Sequence, residues 1–173
     1  MRNPNTREFR TIFVAGGCFW GVEEYYKRLK GITDTVAGYA NSNQENITYH
    51  DVCSGNTQAV EAVMLQYNHA SISLADIVDH LFRIIDPTLL NQQGNDVGTQ
   101  YRTGIYYIHP QDQEELEALM SHYQTQYNKP IQVELLPLEN FTPAEDEHQD
   151  YLEMNPGGYC HIDFSQAKPE ELK

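Results

Sequence analysis

Residues 11–15, Thr-Ile-Phe-Val-Ala, run straight into Gly16-Gly17, and a helical pattern begins two residues later. Phe19, Val22, Tyr26 and Leu29 fall on one helical stripe, and Gly31 is placed to end it. A short apolar run bounded this way reads as a buried strand, with the glycines as a tight joint to the helix. Such a joint commits the chain to packing helices on a sheet. The remaining pattern agrees. Residues 33–40 (TDTVAGYA) and 60–67 (VEAVMLQY) read as strands. A helix follows over Leu74–Ile85, opened by Ser73 and Asp76 as a capping box and ended by Asp86-Pro87. Residues 103–109 form a strand, His109-Pro110 open a third amphipathic helix, and 131–136 (IQVELL) form the last strand.

The order β-α-β-β-α-β is the split β-α-β, ferredoxin-like arrangement, here with an extra helix and strand. The fold expected is a single two-layer α/β (α+β) domain with a mixed sheet, spanning residues 1–173. About 1–10 read as an N-terminal extension and about 166–173 (QAKPEELK) as a flexible charged tail. Three connections, roughly 41–57, 86–102 and 137–165, are too long to be turns. They are rich in aromatic and hydrogen-bonding residues, so the binding surface is expected there.

Charge and cysteine usage narrow the function. Eleven basic against twenty-five acidic residues give a net charge of −14, which excludes a nucleic-acid backbone or an anionic membrane as the main partner. No apolar run approaches a membrane span, and MRNPNTREFR lacks the apolar core of a signal peptide, so a cytoplasmic address is expected. Three widely spaced cysteines, Cys18, Cys53 and Cys160, do not make a secreted disulfide framework. Neither those thiols nor His161 show metal-site spacing, and Gly16-Gly17 lacks the further signals of a nucleotide loop; no metal and no bound cofactor are expected.

Two residues carry chemistry. Cys18 falls at the start of a helix, where the free amides and the dipole favour an anion and lower a thiol pKa. It reads equally as a small buried side chain at a strand-helix corner. Trp20, the only tryptophan, is either core or the wall of an apolar pocket. Glu61 lies on a strand that is apolar on both faces, which favours a protonated carboxyl able to act as a general acid; near the strand's start it also reads as reaching solvent. His148 in AEDEHQDYL offers a base for Cys18 in a cysteine hydrolase, or is an ordinary hydrogen-bonded histidine.

Four ordered blocks then identify a family. Residues 16–21 (GGCFWG), 93–102 (QGNDVGTQYR), 144–151 (AEDEHQDY) and 155–160 (NPGGYC) resemble peptide methionine sulfoxide reductase A, over about residues 11–165. The resemblance implies reduction of the S epimer of methionine sulfoxide, free or in oxidised peptides and proteins, with thioredoxin or dithiothreitol as external reductant. It implies Cys18 as the nucleophile and Glu61 as the acid, assisted by Tyr49 and Tyr101. It implies Phe19 and Trp20 as the pocket for the substrate methyl group, Asp96 as a further substrate-site residue, and Cys160 as the recycling cysteine that bridges to Cys18. Cys53 matches a position without a catalytic role.

The match has departures. Thr57-Gln58-Ala59-Val60-Glu61 stands where the family usually reads T-G-H-A-E, and Asn41-Ser42 where it favours glycines. No second recycling cysteine follows Cys160. The competing readings are the cysteine hydrolase and a non-catalytic acidic binding module.

Overall fold

The computed structural model describes residues 9–44, 46–158 and 160–173. Most of the expected N-terminal extension, residues 1–8, lies outside the described residues. Among the described residues eight strands occur, in chain order: β1 Phe9–Gly16, β2 Ile32–Ala40, β3 Val60–Asn68, β4 Gln92–Gln93, β5 Asp96–Val97, β6 Thr103–Tyr107, β7 Glu134–Pro137 and β8 Phe141–Pro143. The α-helices are α1 Phe19–Lys27, α2 Tyr49–Cys53, α3 Leu74–Ile84, α4 Pro110–Gln124 and α5 Tyr151–Met154.

Six strands make one sheet in the order β7-β6-β1-β3-β2-β8, and β4 pairs with β5 in a separate ribbon. Every pairing of the large sheet is antiparallel except β6 with β7, so the sheet is mixed. Within it β6-β1-β3-β2, with α1 and α3 as the connections, is the split β-α-β core expected from the sequence.

Side-chain alternation divides the sheet into two faces. Ile12, Val14, Val63, Leu65 and Ile105 meet Val22 and Tyr26 of α1, Ile77 and Leu81 of α3 and Leu116 of α4 in one core. Phe13, Ala15, Val60, Ala62 and Tyr106 face the other way, against Leu138 and Phe141. The helices thus form a second layer on a single face. Glu61 shares the period of Val63 and Leu65, which turns its carboxyl toward α1.

Three local differences have physical causes. Residues 131–133 are not strand: the Ile131 amide donates to the Gln124 side chain and the Gln132 amide to the Pro87 carbonyl. The loop over 41–57 contains α2, started by a Thr48–Asp51 capping box. The two sequence departures both fall on left-handed backbone, Asn41 at φ 51° and Gln58 at φ 59°, where glycine is at ease.

The charged tail makes bonds to the body of the domain. The Lys30 amide donates to the Glu171 carbonyl and the Lys173 amide to the Arg28 carbonyl, tying residues 171–173 to the end of α1. Arg83 grips the Glu171 carboxylate with two nitrogens at 2.8 and 3.1 Å, and the buried His80 lies 3.2 Å from it. Of the charges in QAKPEELK, Glu171 is therefore paired with α3.

That pairing holds the Glu171 carboxyl down to about 2, chiefly through Arg83. A carboxyl lowered on folding stabilises above its unfolded pKa, and the contribution vanishes as pH falls through the folded value. Glu171→Gln is expected to cost about 1 kcal/mol at pH 7. The gap to wild type in urea unfolding should close between about pH 4.5 and pH 2; an equal gap at both ends would remove the ion pair from the account.

Candidate active site

Cys18 is the N-cap residue of α1, directly after the β1-Gly16-Gly17 joint. The next amide, that of Phe19, donates to Glu61 Oε1 at 3.3 Å, and the Gln100 side chain donates to Glu61 Oε2 at 2.9 Å. Glu61 is 2% exposed. Burial pushes its carboxyl up to about 7 despite those two donors, which favour the anion, and the Asp96 charge adds to the rise. The alternative of a solvent-reaching Glu61 is thereby settled against.

The expectation that the helix start lowers the Cys18 pKa is overturned. Cys18 is 8% exposed, and burial pushes its thiol well above the ordinary range. The Glu61 charge raises it further, and Asp96 and Cys160 add smaller increments. The Trp20 amide at the helix start pulls it down, so the predicted effect exists and is outweighed. The thiol is buried at the strand-helix corner, within the field of the Glu61 carboxyl.

Tyr49, on α2, and Tyr101, after the β4–β5 ribbon, both lie in the field of Glu61 and Cys18. Burial raises the pKa of both phenols, with the Glu61 charge contributing in each case, so both remain protonated donors at neutral pH. Asp96, on the ribbon, enters the field of Cys18, Glu61 and Tyr101. Cys53 is exposed, 3.8 Å from the Gln100 amide and close to the Tyr49 hydroxyl.

An aromatic wall stands beside the thiol. Phe19 is buried against Tyr39 and His148. Trp20 stacks on Tyr151, with ring centres 3.8 Å apart, and its indole N–H donates to His148 Nδ1 at 3.1 Å. The segment carrying His148 and Tyr151 is strapped down at three points. Gln149 bonds both backbone groups of Ala37, the Asp150 amide donates to the buried Glu23 at 2.7 Å, and Glu145 accepts from the Tyr39 hydroxyl and the Tyr49 amide. With Nδ1 taken by the indole and the ring packed on Phe19, Trp20 and Tyr49, His148 belongs to the wall.

Cys160 arrives from the far end of the chain. Its sulfur rests on Gly21, where a Cβ would lie 2.5 Å away, on the same first turns of α1 as Cys18. The thiols of Cys18, Cys53 and Cys160 are all free.

Among the described residues one group, Glu145, Glu147 and His148, has potential metal-binding atoms within 4.8 Å of one another. Glu145 and His148 already spend their oxygens and Nδ1 on protein donors. No described helix is long and apolar enough to cross a membrane.

The chain matches the family model described as peptide methionine sulfoxide reductase over residues 10–173. The chain belongs to this family. A peptide methionine sulfoxide reductase MsrA of Mycoplasma pneumoniae is 50% identical over 155 residues, covering 90% of this chain and 99% of the relative. Reduced Mxr1 of Saccharomyces cerevisiae superposes with a TM-score of 0.85 at 37% identity, covering 93% of this chain and 92% of that one. Mxr1 in complex with Trx2 matches with a TM-score of 0.60 at 27% identity, over 87% and 88% of the two chains. The family's thiol-dependent oxidoreductase activity is the setting in which this site works.

Gln100, Tyr151, Tyr39 and Glu145 escaped the sequence reading. All four lie in the blocks or strands that were singled out, but their roles depend on partners 39 to 131 positions away.

The electrostatics give a signed expectation. Alkylation of Cys18 without substrate is expected to rise with pH beyond the ordinary thiol value of about 8.5. Glu61→Gln removes a negative neighbour and is expected to move that titration down, with burial keeping it above the ordinary value. An upward move, or a wild-type plateau below pH 7, would contradict the site's electrostatics.

Proposed function

We propose that Cys18 attacks the sulfur of the S epimer of methionine sulfoxide, free or within oxidised peptides and proteins, while Glu61 delivers a proton to the oxygen. The observation that carries this reading is a carboxyl with a pKa of about 7 beside a buried thiol at the start of α1. A carboxyl poised there exists in both protonation states near neutrality, which general-acid work requires. Tyr49 and Tyr101 are donors to the same oxygen. Phe19 and Trp20 receive the methyl group, and Asp96 orients the substrate backbone.

The step balances as Cys18–SH plus sulfoxide giving Cys18–SOH plus thioether. The thiol of Cys160 then attacks the Cys18 sulfur: its S–H bond breaks, an S–S bond forms, and the Cys18 S–O bond breaks to release water. An external dithiol reduces the bridge. The Mxr1–Trx2 complex supports thioredoxin in that role. All electrons come from thiols, so the scheme calls for no bound cofactor. One catalytic domain spanning residues 1–173 and a reducing, cytoplasmic setting accord with it.

Cys18→Ser is expected to release no methionine from either epimer. Cys160→Ser is expected to release one equivalent from the S epimer alone and then stall with thioredoxin. Glu61→Gln should lower the first-turnover rate by roughly 10²–10⁴. Full turnover in Cys18→Ser, or a preference for the R epimer, would overturn the reading; both are read by chromatography of the released methionine.

A further inference from the structure

We propose that His161 is the positioning residue of the recycling step, holding the Cys160 loop on the first turns of α1 through its bond to Gly16. The inference rests on Cys160 being the recycling thiol.

His161 Nε2 lies 2.8 Å from the Gly16 carbonyl oxygen. A carbonyl only accepts, so Nε2 carries the hydrogen and donates. Burial pushes the ring's pKa below its ordinary value, which leaves it neutral at physiological pH with this tautomer fixed. Its Nδ1 is buried and has no hydrogen-bond partner among the described residues. A half-buried imidazole that spends one nitrogen on the backbone and leaves the other unused is placed for that single bond.

The bond fixes where Cys160 sits. Gly16 closes β1, and Cys18 follows two residues later. The ring of His161 lies over Gly17, where a Cβ would be 3.0 Å from both Cε1 and Nε2. Gly17 has φ +87°, so the joint needs glycine for its turn as well as for this approach. On the other side of Cys18, the sulfur of Cys160 occupies the space above Gly21. The Ile162 amide donates to that sulfur at 3.3 Å, which orients it, and Ile162 is itself buried. Residues 160–162 therefore straddle the turn that carries Cys18, one contact before it and one after.

This arrangement matters to the second half-reaction. Bridge formation within one chain proceeds at a rate set by how often the two sulfurs meet, which is an effective concentration. On the approach through Asn155-Pro156-Gly157-Gly158, Gly158 packs on Tyr151 and Leu152 and its amide donates to the Asn155 carbonyl, so the near end is tied to α5 and not to α1. The far end is fixed by the Glu171 clasp. Between them His161 is the polar anchor beside α1. Sulfoxide reduction uses Cys18, Glu61 and the substrate site but not the Cys160 thiol, so the anchor acts on recycling and leaves the first step alone.

The test is one turnover with one equivalent of methionine sulfoxide, quenched over time. Methionine release, sulfenic acid trapped with a 1,3-diketone and the Cys18–Cys160 bridge are each quantified by mass. For His161→Ala, methionine release should stay within about twofold of wild type while bridge formation slows roughly tenfold, the shift expected from losing one buried hydrogen bond. Sulfenic acid should accumulate in proportion, and thioredoxin-driven turnover should fall with it. His161→Gln keeps an N–H donor within reach of the Gly16 carbonyl and should restore most of the bridging rate. Bridging at the wild-type rate in His161→Ala, or equally slow bridging in His161→Gln, overturns the inference. Cys160→Ser separates it from the reading beneath it. If that variant stalls as the sulfenic acid while His161→Ala bridges normally, only the role of His161 falls; if it cycles with thioredoxin, both fall.

Discussion

The hydrogen bond from the Phe19 amide to the Glu61 carboxyl joins the two halves of the site. It links the first turn of the helix that carries Cys18 to the strand that carries the acid, across a sheet-helix interface closed mainly by apolar side chains. A buried carboxyl without partners would be costly, and two N–H donors make the anion tolerable without making it dominant. Burial outweighs the donors, which brings the acid's titration up to about 7, near neutral pH. The thiol beside it is driven the opposite way from a free reactive cysteine, because the same burial and the same carboxyl disfavour its anion. At rest the thiol is therefore held in its protonated form.

The remaining structure serves that pair. The antiparallel register of β3 against β1 and β2 sets Glu61 opposite Tyr39, whose hydroxyl reaches Glu145 on the 141–154 segment. That segment is held by Gln149 on Ala37 and by the buried Glu23, whose own carboxyl burial pushes up to about 6. Through it His148 and Tyr151 are pressed on Trp20, forming a wall from residues that are distant in sequence. The C-terminal clasp on Arg83 and His80 anchors the chain beyond Cys160 in the same manner.

Much of this was legible in the sequence, for identifiable reasons. The strand-glycine-helix joint, the Ser73–Asp76 capping box and the alternation around Glu61 are local patterns, and each appears where expected. What was missed is not local. Gln100 reaches Glu61 across 39 positions and Arg83 reaches Glu171 across 88, so neither pairing leaves a periodic trace. The sign of the Cys18 shift was misjudged because helix position is visible in a sequence and depth of burial is not.

The central claim, that Glu61 retains a proton near neutrality beside a buried thiol, is open to direct measurement. Infrared difference spectra of wild type against Glu61→Gln isolate the carbonyl stretch of this one protonated carboxyl. The band is expected to persist above pH 6 and to disappear with a midpoint near the value of about 7 that burial imposes. A band that vanishes near the ordinary glutamate value of about 4.3 would contradict the account, because an acid already ionised at neutral pH has no proton to give.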